Sequence, residues 1–485
     1  MKEFALLALD AAKTFGATYA DIRIIQTKRQ AIRVKDGKIG AIDSIEDVGF
    51  GVRVIADGAW GFASSDDLSK ETLERIAKQA VETARASALF KRGEVVFAEE
   101  PHHVDVWQTP FVKDPFKIAL STKIDLLVEI DKRLRQVKGV QVSEASMDFR
   151  SEDQVFANTE GSYIQQFLMN SGAGYSATAR DEHDIQVRSY PSSFGGQYQT
   201  RGYELIEELA LVENAERIAE EAVALLSAPQ CPSGQKDLVL EGSQLALQIH
   251  ESCGHPIELD RVLGSEANYA GTSFLTTDKL GKLKYGSDIV NIVADATLGH
   301  GPGLGTFGYD DEGVPAQRTE IVKNGLFAGY MTSRETAPVI GQKRSNGTMR
   351  ADGWNRIPLI RMTNVSLLPG TWTLEDLIAD TKDGILMETN RSWSIDDKRL
   401  NFQFGTEVGW EIKNGKKTRM VKNPTYGGMT TAFWNACDAI CNNNYWMLWG
   451  TPNCGKGQPG QTAGTGHGAA PARFRNINVG IGYTR

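Results

Sequence analysis

The sequence predicts an α+β fold, with antiparallel sheets and helices in the N-terminal half and a strand-rich C-terminal half that carries a metal-site helix. Three observations lead there. The first hundred residues switch between period-two apolar alternation and the three-four apolar spacing of a helix. Tight-turn pairs, Asp36-Gly37, Asn324-Gly325 and Asn414-Gly415, fall where antiparallel hairpins need them. At 485 residues the chain exceeds one ordinary core, and the turn-rich run Ala228-Pro-Gln-Cys-Pro-Ser-Gly234 is its best linker. Three domains are therefore expected, at 1–100, 101–232 and 233–485.

Taken in order, residues 20–34 read as a strand, with Ile22 and Ile24, then Ile32 and Val34, alternating against polar neighbours before the Asp36-Gly37 turn. Leu73, Ile76, Ala77, Ala80, Val81 and Ala84 mark one face of a helix capped by Ser69. Helices near 123–137 and 215–226 and strands at 140–149 and 161–168 continue the same architecture. Beyond the linker, 238–240 is a short strand, Gly242-Ser243 a capped turn, and 244–253 a helix. From about Asn423 the chain is rich in Gly, Asn and Trp, and no fixed-period repeat is present.

Composition narrows the function. The net charge of -8 argues against a protein that grips phosphate backbones, and no apolar run is long enough to cross a bilayer. A cytoplasmic protein binding neither nucleic acid nor membrane is expected. The five cysteines, Cys231, Cys253, Cys437, Cys441 and Cys454, are odd in number and do not resemble a disulfide framework. Cys437 and Cys441 read as small buried hydrophobes; a helix there would place both on one face.

The chemistry gathers at His250-Glu-Ser-Cys-Gly-His255. Neutral imidazoles bind zinc, and a carboxylate beside them can take a proton from metal-bound water, so Glu251 is the candidate base. The spacing differs from the common HExxH, because residues five apart on a regular helix point about 140° apart. Something must break the helix. Gly254 tolerates unusual backbone angles and Pro256 disfavours helical geometry at His255, so His255 stands either at a helix exit or on a π-bulge that returns positions five apart to one face.

A catalytic zinc site needs a third protein ligand and an open position. Cys253, His300, Cys454, His467, Glu258 and Asp260 are candidates. Cys454 is the choice, because the glycine-rich loop Pro452-Asn-Cys-Gly-Lys-Gly457 lets its backbone approach a metal; His467, in Gly466-His-Gly468, is the reserve. Two motifs are set aside. Gly450–Gly457 lacks the hydroxyl that ends a nucleotide-binding P-loop, and Gly303-Leu-Gly-Thr-Phe-Gly308 is followed by an acidic turn instead of a helix.

Several motifs together resemble the TldD/PmbA metallopeptidases, once described as modulators of DNA gyrase. They are Tyr19-Ala-Asp-Ile22, Val48-Gly-Phe-Gly-Val-Arg-Val54, His250-Glu-Ser-Cys-Gly-His-Pro256, Asp310-Asp-Glu-Gly-Val-Pro315, Arg361-Met-Thr-Asn364, Leu368-Pro-Gly370 and Cys454-Gly-Lys456, in the family's order and over nearly the whole chain. The HExxxH marks the TldD branch. The resemblance implies Zn2+ bound by His250, His255 and Cys454, Glu251 as general base, unfolded or extended peptides as substrates, and a dimer formed with itself or with a PmbA/TldE-like partner. After Cys454 the sequence departs from many members, which continue Gly-Lys-x-Gly-Gln and then Gly-Gln-Pro where Gly466-His-Gly468 stands. As a second oxyanion donor Tyr309, Arg318 and Arg361 are candidates. The rival expectation is a non-catalytic regulator that binds another protein and holds a structural metal.

Overall fold

Helix α1 (Lys2–Thr14) and the long hairpin of β1 (Tyr19–Lys35) and β2 (Lys38–Ala56) open the chain in the computed structural model, which describes residues 1–91 and 93–480. Asp36 and Gly37 take φ of 49° and 79°, the two left-handed residues that a tight hairpin turn requires. After β3 (Ala59–Ser65), helix α2 (Lys70–Ala88) buries all six residues of its predicted stripe, and the Ser69 hydroxyl accepts the Thr72 N–H as its cap.

Next come β4 (Val104–Gln108), α3 (Leu120–Gln136), β5 (Val140–Asn158), β6 (Tyr163–Arg180), β7 (Ile185–Tyr190), β8 (Gln197–Gln199), α4 (Glu204–Glu208) and α5 (Leu211–Ser227). All eight strands form one sheet in the order β3-β2-β1-β5-β6-β4, with β7 and β8 also on β6. Because β1 pairs along its length with β5, the segments 1–100 and 101–232 share that sheet. Helices α1 and α2 cover one apolar patch of it, and α3 and α5 cover another. Strands β5 and β6 run about twice as far as their apolar alternation predicts. Their polar stretches stay extended because each backbone is flanked by partner strands, whatever its side chains.

The C-terminal half begins with β9 (Gly234–Leu240) and α5's successor α6 (Gly242–Ile249), which is followed by a π-helical turn (His250–Gly254), a 3-10 turn (His255–Ile257) and α7 (Leu259–Val262). The predicted cap at Ser243 is corrected: the helix already starts at Gly242, and the Glu241 carboxylate accepts the Ser243 N–H at 2.8 Å. Then follow β10 (Ile292–Asp295), β11 (Arg318–Lys323), β12 (Leu326–Phe327), β13 (Met349–Arg350), β14 (Leu359–Ile360), β15 (Asn364–Leu367), α8 (Leu374–Ala379), β16 (Asp383–Ile395), β17 (Asn401–Lys413), β18 (Lys416–Val421), β19 (Thr425–Met429), α9 (Thr430–Asn435), β20 (Cys437–Ile440), β21 (Met447–Lys456), β22 (Gln461–Ala469) and β23 (Ala472–Val479).

One sheet runs β12-β11-β10-β15-β22-β21; another passes β16-β9-β23-β19-β17 and closes on itself through β17 and β16. Every residue of α6 is buried, and the helix packs against both β16 and β22. It is thus the central element of the half that carries the site. Cys437 and Cys441 are buried and free, as expected, but on and just after a strand. Gly450–Lys456 is strand paired with β22, which rules out the strand–loop–helix cradle of a P-loop. Among the described residues no helix is long and apolar enough to cross a membrane.

Candidate metal centre

Helix α6 delivers His250 into a π turn closed by the His255 N–H donating to the His250 carbonyl. Of the two routes open to the sequence, the π-bulge is the one taken, and His255 keeps helical angles (φ -62°, ψ -41°) although Pro256 follows it. The wider turn brings the two rings edge to face, with centroids 4.9 Å apart. It also misaligns backbone carbonyls, and side chains meet them. Ser252 Oγ donates to the Gln248 carbonyl at 2.5 Å, and Tyr285 donates to the Ser252 carbonyl at 3.0 Å. A Cβ at Gly254 would lie 2.1 Å from Met362 Sδ, so a larger residue there must displace that buried side chain.

Cys454 arrives from β21 at a register break between Thr451 and Cys454. Its Sγ lies 3.7 Å from His255 Nε2, and one donor atom each from His250, His255 and Cys454 fall within 4.8 Å of one another, all three residues buried. Two imidazole nitrogens and a thiolate are a zinc-type donor set, and three protein ligands leave a position for substrate or water.

Neighbours assign the protons. His467 Nδ1 donates to the Val365 carbonyl at 3.0 Å, so its Nε2 accepts from His250 Nδ1 at 2.7 Å and the His250 Nε2 lone pair is left free. His255 Nδ1 donates to Glu258 at 3.0 Å, turning its own Nε2 toward Cys454. Glu258 and Asp260 flank the Lys456 ammonium at 3.4 and 2.7 Å, which places both candidate carboxylates around a lysine. His467 stands one layer behind His250 rather than within the trio. His300 bonds Ser366 elsewhere, and Cys253 is buried beside Tyr285, its thiol pushed up to about 12 by burial.

Electrostatics follow from these contacts. Burial raises the Glu251 carboxyl, but His250 and Arg399 outweigh it, so the carboxylate is held below its usual range. Burial opposes ionisation of both His255 and Cys454, yet each favours the other's charged form: the imidazole is raised and the thiol lowered. Glu258, against burial, is held to about 2 by Lys456 and His255. Burial lowers His250, and burial together with the neighbouring His250 lowers His467 well below its usual range.

Sequence reasoning missed Arg399, whose Nη1 bonds the Glu251 carboxylate from 148 residues downstream. No spacing signal links them. Of the three oxyanion candidates, Tyr309 donates to Asp105 at 2.7 Å and Arg318 lies at the surface beside Asp295 and Glu320, whereas Arg361 stands at the centre itself, donating to the Cys454 and Gln461 carbonyls and holding β21 against β22. A cleft of about 1210 Å³ reaches Pro452 and Asn453 on β21, just before Cys454, which itself does not line it.

Residues 233–480 match the model of the PmbA/TldA metallopeptidase C-terminal domain, residues 20–84 that of domain 1, and residues 113–226 that of the central domain. A metalloprotease of Methanocaldococcus jannaschii is 30% identical over 455 residues, 94% of this chain and 95% of that one. The zinc metalloprotease TldD homolog of Saccharolobus solfataricus is 23% identical, covering 97% and 98%. The crystal structure of TldE from Thermococcus kodakarensis shares the fold, with a TM-score of 0.72 at 16% identity over 97% of this chain and 98% of that one.

Proposed function

This chain belongs to the PmbA/TldA metallopeptidase family, and on that premise we propose that it is a zinc-dependent peptidase in which Glu251 acts as general base. The observation that carries the reading is the meeting of two imidazoles and a thiolate within 4.8 Å beside an ionised, buried carboxylate. Held by His250, His255 and Cys454, zinc would supply Lewis acidity, acidifying a water and polarising a carbonyl.

The chain's own residues account for the rest. Hydrogen bonds from His250 to His467 and from His255 to Glu258 fix which nitrogen of each ring faces the centre. Glu251, unprotonated at neutral pH, takes the proton of the attacking water and returns it to the leaving amine. Unfolded or extended peptides are the substrates we assign, since a buried centre admits a single strand more readily than a folded domain. We extend the proposal to assembly with a second copy or with a PmbA/TldE-like partner, as the family resemblance implies.

The test is Glu251→Gln. Elemental analysis should find zinc retained, while hydrolysis of an unfolded peptide falls about 10²- to 10⁴-fold. A variant that cleaves at the wild-type rate overturns the base assignment, and a wild type that takes up no zinc overturns the metal reading. Native mass on the same sample decides the assembly.

A further inference from the structure

Arg399 occupies the turn between β16 and β17 with φ of +63°, a backbone region that non-glycine residues seldom enter and that concentrates at functional sites. The turn is built to hold it. Asp396 accepts the Arg399 N–H through its carbonyl at 2.8 Å, and its carboxylate takes Leu400 N at 2.7 Å and Asn401 Nδ2 at 2.8 Å. Thr430 Oγ1 donates to the Arg399 carbonyl at 2.9 Å. The side chain turns inward until only 14% of it is exposed, and Nη1 rests on Glu251. Its Nε is buried and has no hydrogen-bond partner among the described residues.

A buried guanidinium N–H without an acceptor is costly, and natural structures keep few of them. A bound ligand's oxygen removes that cost. The base and the group that receives negative charge must flank the same reacting carbonyl, and a guanidinium touching Glu251 meets that condition. Arg361 also has a buried Nε with no partner among the described residues, but its other nitrogens are committed to strand carbonyls and the residue is 1% exposed.

We propose that Arg399 is a catalytic residue of this site, donating a guanidinium N–H to the substrate's carbonyl oxygen as that oxygen becomes negative. This inference rests on the peptidase reading. In the addition step the water oxygen bonds the carbonyl carbon, the C=O π pair moves onto oxygen, and the water proton passes to Glu251. Arg399 keeps all its protons and contributes only hydrogen bonding. On collapse the pair re-forms C=O, the C–N bond breaks, and the amine leaves with the proton from Glu251.

The experiment uses Arg399→Asn, since asparagine tolerates the left-handed backbone, and Arg399→Lys as the conservative comparison. Zinc content and thermal midpoint establish that each variant is folded and loaded. We expect kcat of Arg399→Asn to fall about 10²- to 10³-fold with KM little changed. Affinity for a phosphinic peptide, which carries a tetrahedral anionic centre, should fall by a similar factor, and added guanidinium ion should restore part of kcat. A kcat within threefold of wild type, or a fall in kcat with unchanged phosphinic-peptide affinity, overturns the role of Arg399 while leaving the peptidase reading intact. A zinc-loaded wild type that neither cleaves peptides nor binds the phosphinic peptide overturns both.

Discussion

His250 is oriented by its neighbour. With His467 Nδ1 committed to the Val365 carbonyl, the His467 Nε2 lone pair holds the His250 Nδ1 proton, and the opposite nitrogen is free for a metal. His467→Ala should therefore weaken zinc binding about 10- to 100-fold in chelator competition, whereas His467→Gln, whose amide oxygen can accept the same proton, should keep most of it. An alanine variant with unchanged affinity sinks this assignment. The grouping of His250, His255 and Cys454 was legible because the two histidines stand five apart on a helix the sequence must break and Cys454 stands in a glycine-rich run. The roles of Glu258, Lys456, His467 and Arg399 were not, since each is defined by a partner distant in the fold. Lys123 is a second residue whose state is set by folding. It is fully buried, bonds Gln30 and the Pro115 carbonyl, and burial pushes its ammonium down to about 8 against a weaker opposing pull from Asp114. The unfolded chain, with an ordinary lysine near 10.4, binds more protons between these values, so stability should rise with pH there, by at most about 1.4 kcal/mol per unit. Urea midpoints from pH 8 to 10 should climb more steeply for the wild type than for Lys123→Met; equal slopes would show that Lys123 is charged in the fold.

The π turn is the element on which the centre depends. On an uninterrupted α-helix His250 and His255 would diverge, and the five-residue spacing made a break readable in advance. What the sequence could not display is the support for that break: Tyr285, Trp434 and Met362 come from remote segments to meet Ser252 and Gly254. The strand lengths of β5 and β6 were hidden for a related reason, since a polar side chain such as Gln154 is buried there by bonding Asp311 of the other half at 2.6 Å. Gly254→Ala would drive a methyl into Met362 Sδ. We expect a stability loss of about 1–3 kcal/mol in urea unfolding, with zinc binding weakened as the turn shifts. If the contact is the cause, adding Met362→Ala should return zinc affinity toward wild type even though it leaves a smaller core side chain. A double variant no better than the single one would place the fault in the backbone.

Across the whole molecule the two halves meet through buried charge. Arg53, on β2 of the N-terminal sheet, bonds Asp21 at 2.6 and 3.0 Å and Glu312 of the C-terminal half at 2.9 Å. Glu312 in turn accepts the Arg334 N–H, and Arg334 reaches back to Glu160 at 2.7 and 2.8 Å. These arginines and carboxylates are almost fully buried, apart from the half-exposed Glu160, so each charge depends on its partner for the solvation it has lost. The family-like runs Val48–Val54 and Asp310–Pro315 thus supply two sides of one joint, a use that neither run reveals by itself. Arg53→Met leaves two carboxylates buried against an apolar chain, and should cost about 3–5 kcal/mol in denaturant unfolding. Neutralising the partners as well, in Asp21→Asn/Arg53→Met/Glu312→Gln, should recover a large part, because the penalty belongs to the unpaired charge and not to the lost attraction. Zinc affinity of the folded single variant should stay at the wild-type level, since His250, His255, Cys454 and the residues that orient them come from the C-terminal half. A loss below about 1 kcal/mol would mean that water reaches the joint, and a loss of zinc affinity would mean that the N-terminal sheet holds the ligands in place.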